Sequence, residues 1–330
     1  MPELYDVAAI GNAIVDVIAR ATDDFLVQNG LTKGAMMLVD PAASAALYAK
    51  MSQGVEASGG SAANTIAGLA SFGGKGAFMG KVADDPLGAV FAKDMRAIGA
   101  RFENAPLTGG PATAVSMINV TPDGQRTMCT FLGASVEFTD ADVDAKTVEA
   151  AKIVYLEGYL FDAETARRAF AKAAALAHGA GRQIALTLSD SFVVERHRAG
   201  LLGFIESQVD LLFANESELL ALFTTADFDE ACEALRTRCD LAAVTRSEQG
   251  SVIIAKGELL HIAAEPVEKV VDTTGAGDQY AAGFMFGLSR GRSLADCGWL
   301  ASVAAAEVIS HYGPRPQVSL KDLAAEKGLA

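Results

Sequence analysis

The chain has 330 residues, 51% of them hydrophobic and 21% charged, enough apolar material for the core of one large α/β unit. Its 27 basic and 41 acidic residues give a formal net charge of −14, which argues against broad nucleic-acid or anionic-membrane binding. An anionic ligand would have to meet local cationic groups or a metal ion.

Residues 7–10 read as a short buried strand ending in Gly11-Asn12, and residues 14–19 as another. Asp16 interrupts the second run, where a carboxylate is costly unless it is paired or faces a cleft. A further strand is expected over 33–39 and a helix over 41–51. Gly59-Gly60 then leads through Ser61-Ala62-Ala63-Asn64 into a helix of small residues to Phe72. The glycine pair serves either close helix–sheet packing or a ligand, with Asn64 placed to bond a ligand hydroxyl. Residues 74–81 superficially resemble a phosphate-binding P-loop. The pattern fails, because Lys75 stands where its first glycine belongs and Val82 follows Lys81. A Gly-x-Gly-x-x-Gly fingerprint is also missing after the first strand, which disfavours dinucleotide binding.

An amphipathic helix is expected over 85–98, then a hairpin of 111–119 and 126–132 across Pro122-Asp123-Gly124. With the strands before residue 40 this hairpin suggests a small sheet outside the main core, able to act as a lid. Arg126 beside its turn is either a solvated hairpin residue or one that reaches a phosphate. From residue 150 a regular β–α alternation begins, with strands at 153–156, 184–188, 211–213 and 242–245. Helices near 163–178, 197–207, 216–223 and 228–238 separate them, which argues for a mostly parallel sheet with ligands at its carboxyl ends. Asn215-Glu216-Ser217-Glu218 follows one strand end and is locally explained as a helix cap. Thr245 to Gly250 follows another strand, ahead of strands at 251–255 and 259–262.

Val271-Asp272-Thr273-Thr274-Gly275-Ala276-Gly277-Asp278 reads as a strand end, a glycine turn and a helix start capped by Thr273 or Thr274. Free N–H groups at such a start favour an anion, and Asp278 lies just inside. That combination suggests phosphoryl transfer, with Asp278 taking a proton from an acceptor hydroxyl. A last helix over 294–309 precedes Gly313-Pro314-Arg315-Pro316. Cys129, Cys232, Cys239 and Cys297 have no metal-ligand spacing, so reduced thiols are expected rather than a structural zinc. The N-terminus lacks the regions of a signal peptide, and no apolar run reaches the ~18 to 20 residues of a spanning helix. A cytoplasmic protein without a membrane partner is expected.

Together Gly59-Gly60-Ser61-Ala62-Ala63-Asn64, Asn215-x-x-Glu218 and Asp272-Thr273-Thr274-Gly275-Ala276-Gly277-Asp278 resemble the ribokinase-like (PfkB) family of carbohydrate and nucleoside kinases. The resemblance covers nearly the whole chain. It implies one three-layer α/β/α domain over residues 1–330, with a mostly parallel central sheet and a small β-sheet lid from roughly 12–40 and 110–133. It also implies transfer of the γ-phosphoryl of MgATP to a primary hydroxyl. Asp278 corresponds to the base and the N–H groups of Gly275, Ala276 and Gly277 to the anion hole, with Arg126 as a further source of positive charge. Asn12, Asp16, Gly59, Gly60, Asn64 and Thr274 correspond to the acceptor side. Asn215 and Glu218 match the magnesium and phosphate motif, acting through water, and Thr245 and Gly250 match nucleotide-pocket positions. Some members bind a monovalent cation such as K+ near the Asp272 loop.

Within the family the chain is most similar to adenosine kinases, through Gly11-Asn12-x-x-x-Asp16, the segment 155–159 and the segment 186–192. Tyr159 is then either a ring stacked on a nucleobase or plain core. Gln279-Tyr280 departs from the small or apolar residue plus Phe more usual after the base. A ribose, fructose or keto-deoxy-sugar kinase is the alternative, and a non-catalytic nucleotide or sugar sensor is the alternative from another class. A monomer or a homodimer is expected.

Overall fold

The computed structural model describes residues 5–329. The first seven strands are β1 (Tyr5–Ile10), β2 (Ile14–Arg20), β3 (Met36–Leu38), β4 (Val55–Gly59), β5 (Gly76–Met79), β6 (Ala114–Val120) and β7 (Arg126–Phe131). They are followed by β8 (Ala151–Glu157), β9 (Gln183–Thr187), β10 (Leu211–Asn215), β11 (Leu241–Thr245), β12 (Ser251–Ala255) and β13 (Glu258–Ile262). Eight of these form one sheet in the order β13-β12-β11-β10-β9-β8-β1-β5. It is parallel except at one edge, where β12 and β13 run antiparallel.

The continuous apolar runs of β1 and β8 have a direct cause. Ala8, Ile10, Val154 and Leu156 feed a core on one face of the sheet, while Val7, Ala9, Ile153 and Tyr155 feed a core on the other. Strands covered on both sides lose the polar alternation of a half-exposed sheet. This is the ribokinase-like three-layer α/β architecture expected from the sequence.

The second sheet has five strands in the order β3-β7-β6-β2-β4. Its strand β4 takes in residues 55–59, where the sequence suggests only a glycine turn, and pairs antiparallel with β2 so that Asp16 lies opposite Ala57. The β6–β7 hairpin closes over 121–125, where Gly124 has φ 83° and Thr121 Oγ1 donates to Asp123 Oδ1 at 2.6 Å. Alternation divides this sheet into two faces. Val15, Val17, Val115, Met117 and Cys129 pack into the core beneath helices Pro41–Tyr48 and Pro86–Ala97. Asp16, Ser116, Ile118, Met128 and Thr130 face a cavity between the two sheets.

Three local expectations are corrected. Val271 and Asp272 are not a strand end: residues 263–273 carry no strand, and Val271 N–H donates instead to Ile309 O at 2.8 Å. Neither threonine caps the next helix. Helix Ala276–Ser289 has Gly275 at its N-cap, with φ 82° and no side-chain cap bond. The helix expected over 197–207 begins earlier, as Ser191–Gln208, with a kink at His197. No helix among the described residues is long and apolar enough to cross a membrane.

Candidate active site

The cavity holds about 800 Å³, within the usual range for a small-molecule site. Its floor is made by the carboxyl ends of the parallel strands. Asn12 follows β1, and Glu157, Thr187, Asn215 and Thr245 end β8, β9, β10 and β11; all five line the cavity. Parallel α/β sheets place ligands at this edge. The glycine turn 273–277 and Asp278 form one wall and the small sheet forms the roof.

Asp278 sits in the first turn of helix Ala276–Ser289 and accepts hydrogen bonds from Ser61 Oγ at 2.6 Å and Asn64 Nδ2 at 3.4 Å. Burial pushes its carboxyl up to about 6, while those two bonds and the Arg315 charge hold it from rising further. A base so placed is ionised at neutral pH and still basic enough to take a proton. Asp16, on β2, is likewise raised to about 6 by burial, opposed by Arg315 and Arg126.

Gly275 has no room for a side chain. A Cβ there would lie 2.6 Å from Pro314 Cα, and φ of 82° disfavours any other residue. Gly277 faces open space, where a Cβ would meet nothing within 4 Å. Ala276 N–H is held by Thr273 O at 3.2 Å and Thr274 N–H by Asp272 Oδ1 at 3.0 Å, whereas the N–H groups of Gly275 and Gly277 are among those here without a partner among the described residues. With no side-chain cap, these N–H groups are open to an anion.

The other sequence-expected residues divide. Asn12, Asp16, Gly60, Asn64, Arg126, Tyr159, Asn215, Glu218, Thr245 and Thr274 all line the cavity. Gly59 does not; a Cβ there would lie 2.3 Å from Asp16 Oδ2, so its missing side chain makes room for that carboxylate. Gly250 lies outside as well, in a turn with φ 81° where a Cβ would meet Ile262 O at 2.0 Å. Tyr159 belongs to a short 3-10 turn after β8 and is 38% exposed, so its ring is not core. Gln279 is fully buried and points away from the cavity, its Nε2 donating to Asn64 O at 3.0 Å and Pro314 O at 2.9 Å. Tyr280 lines the cavity with its hydroxyl on Ser251 Oγ, 2.7 Å away.

Asn215 and Glu218 form a reciprocal capping box. Asn215 Oδ1 accepts from Glu218 N at 2.8 Å, and Glu218 Oε2 accepts from Asn215 N at 2.9 Å. Burial raises the Glu218 carboxyl to about 7, and nearby Asp190 adds to the effect. Among the described residues no cluster of three or more His, Cys, Asp or Glu side chains could cage a metal ion.

Three contributors have no role assigned to them by the sequence. Glu157, 1% exposed at the end of β8, accepts from Asn12 Nδ2 at 2.7 Å, Asn12 N at 3.3 Å and Ala62 N at 2.9 Å. Burial pushes its carboxyl up to about 7 against those three bonds. A signal does exist for it, a carboxylate ending an apolar strand, as with Asp16. Ser61, inside the Gly59–Asn64 motif, bonds Asp278, and Arg315, outside every motif, reaches Asn64; nothing local in the sequence marks either contact.

The match to known proteins follows the same outline. The pfkB family carbohydrate kinase model matches residues 7–320. The chain belongs to this family. Its members are ATP-dependent phosphotransferases that act on alcohol groups. The chain is 53% identical to the adenosine kinase from Sinorhizobium meliloti, with a TM-score of 0.90 over 98% of this chain and 99% of that one. It is 48% identical to a probable sugar kinase from Rhizobium etli CFN 42, with a TM-score of 0.92 over 100% of both. The adenosine kinase of Saccharomyces cerevisiae is 28% identical over 94% of this chain and 97% of its own length.

Proposed function

We propose that this PfkB kinase phosphorylates the primary hydroxyl of a nucleoside, adenosine first among them, with MgATP as donor. The observation that carries the nucleoside is the roof of the cavity. Ile14, Met36, Leu38, Ile118, Met128 and Leu132 form an apolar surface over a polar floor. Met36 and Leu38 are 52% and 65% exposed, which is uncovered apolar area that a flat heterocyclic base would bury. A bare sugar offers hydroxyls to that surface and leaves them without partners. Tyr159 supplies a ring beside it for stacking. The similarity to adenosine kinases supports the same acceptor.

On the polar floor, Asn12, Asp16 and Asn64 hold the ribose hydroxyls. Asn12 Oδ1 is buried without a partner among the described residues and suits a hydroxyl donor. Asp278 takes the proton of the attacking hydroxyl, the new O–P bond forms at the γ-phosphorus, and the bond to the bridging oxygen breaks to release ADP. The Gly275 and Gly277 N–H groups stabilise charge on the transferring oxygens. The small sheet is the lid, and its closure keeps water out. Thr245 borders the nucleotide.

Glu218 and Asn215 fit magnesium held through water, because their oxygens are already committed to the capping box and magnesium keeps several waters. When bound, the ion neutralises phosphate charge. The 48% identity to a probable sugar kinase favours a sugar acceptor as the second reading. The test is ADP release by the full chain with MgATP and a panel of nucleosides and sugars. Turnover with adenosine is expected; turnover with a sugar alone overturns the acceptor, and turnover with none favours a sensor.

A further inference from the structure

Arg315 lies on the segment between helices Leu294–Ile309 and Leu320–Glu326, far from every sequence motif of the site. Proline on both sides stiffens its backbone, and the residue before a proline is confined to extended conformations. The segment is tied down on either side. Gly313 N donates to Asp272 Oδ2 at 3.1 Å, Pro314 O accepts from Gln279 Nε2 at 2.9 Å, and Gln317 N donates to Glu307 Oε1 at 2.9 Å.

The guanidinium enters a cluster of carboxylates. Its Nε donates to Asn64 Oδ1 at 3.1 Å, Nη1 stands 3.8 Å from Asp94 Oδ2, and Nη2 is buried with no partner among the described residues. Asn64 carries the consequence. An arginine only donates, so the amide must present Oδ1 to Arg315, which turns Nδ2 toward Asp278 Oδ2 at 3.4 Å. Without that donor the amide is free to flip, and its oxygen would then oppose the carboxylate.

We propose that Arg315 is a positioning residue of the kinase: it fixes the Asn64 amide against the base and shares one buried positive charge between Asp16, which holds the acceptor, and Asp278. This rests on Asp278 being the base of the proposed reaction. The electrostatics run in the same direction, since Arg315 is the larger of the two charges opposing the burial of Asp16 and is the charge that holds Asp278 down. The other ionisable groups around the pair are Asp94 on helix Pro86–Ala97, Tyr155 and Glu157 on β8, Tyr159 after it and Arg126 on β7. Arg126 is already paired with Asp272, which leaves Arg315 as the cation that Asp278 senses.

Two readouts test this in the full chain, one of which needs no substrate. Carbon-13 NMR titration of aspartate-labelled protein, with Asp278→Asn to assign the signal, gives the Asp278 midpoint in wild type and in Arg315→Met. Loss of the cation is expected to raise that midpoint by on the order of one pH unit. With the acceptor found in the panel, the acid limb of kcat/KM moves by the same amount, and kcat falls more than KM rises. Arg315→Lys keeps the charge but not the planar fork, so it restores the midpoint while kcat stays below wild type. A folded Arg315→Met with an unmoved Asp278 midpoint overturns the proposal. Where Arg315→Met does not fold, Arg315→Lys decides alone, and wild-type kcat or a shifted midpoint in it is the contrary result. Failure of the acceptor panel leaves the NMR titration intact, so the two readings fail separately.

Discussion

Arg126, on the small sheet, forms an ion pair with Asp272 in the loop before the glycine turn, and each side chain is only 9% exposed. The pair joins roof to wall across the cavity. Asp272 has other partners: Thr274 Oγ1 donates to it at 2.7 Å, Thr274 N at 3.0 Å and Gly313 N at 3.1 Å. Burial pushes its carboxyl up, but these hydrogen bonds and Arg126 together leave it below the ordinary value.

Because Asp272 keeps three donors, Arg126→Met should cost about 1–3 kcal/mol, below the full penalty of an abandoned buried charge. Asp272→Asn should cost a similar amount, and the double variant less than the sum, since each change removes the same pair. Urea denaturation of the three variants measures this. A strictly additive cycle would show that the ion pair contributes nothing.

Asp278→Asn should lower turnover by about 10²–10⁴-fold, the usual contribution of a general base. Asparagine keeps the shape and can still bond Ser61, so folding and nucleotide binding should hold. Steady-state rates with calorimetric titration of ATP check both halves. Turnover within a few-fold of wild type would remove Asp278 from the role of base.

The legible and illegible parts of this site differ in the range of the contacts that make them. Asp278, Gly275 and Gly277 are visible in the sequence because a turn and a helix start are written within a few residues. Asn215 is visible because a polar residue ending a short apolar strand marks the cavity edge of the parallel sheet, and Asp16 because a carboxylate within an apolar strand, here one of the small sheet, has to face a cleft. Ser61 and Asp278 meet across 217 positions, and Asn64 and Arg315 across 251. No local period encodes such pairings. The strand end expected before Asp272 fails for a similar reason: Val270, Val271 and the polar residues after them look like a strand end, yet the backbone is claimed by Ile309 at the end of a distant helix. Strand β4 is hidden by its glycine, which is tolerated there because Asp16 fills the space of the absent side chain.

Acid should stabilise the fold while it silences the enzyme. Asp16 and Asp278 have folded values of about 6 and Glu157 and Glu218 about 7. Unfolded, such carboxylates titrate near 4, so between about pH 4 and 7 the folded state binds more protons. Stability therefore falls as pH rises through that window and is highest toward its acid end, until other carboxylates that are paired in the fold begin to protonate. Activity runs the other way, because the base must be ionised. The denaturation midpoint at about pH 5.5 is expected above that at about pH 7.5, and kcat/KM below it. Glu157→Gln should flatten the stability profile over about pH 5 to 7, and an unchanged slope would show that Glu157 does not titrate there.

Two glycines one residue apart should separate folding from chemistry. In Gly275→Ala the new Cβ meets Pro314 Cα at 2.6 Å in a backbone with φ 82°, and neither the proline nor the turn can give way cheaply. A loss of about 1–3 kcal/mol is expected from the strained conformation, with activity lost along with the displaced turn. In Gly277→Ala the Cβ meets nothing within 4 Å, and alanine is the better helix former, so stability should hold or rise. The methyl would instead stand in the open space beside the free N–H groups, where the transferring phosphoryl group is proposed to sit. Turnover should then fall by at least about tenfold, a rise of about 1.4 kcal/mol in the barrier, with the melting temperature held or raised. Thermal melts beside rate measurements compare the two directly, and full activity in Gly277→Ala would place the phosphoryl group elsewhere in the cavity.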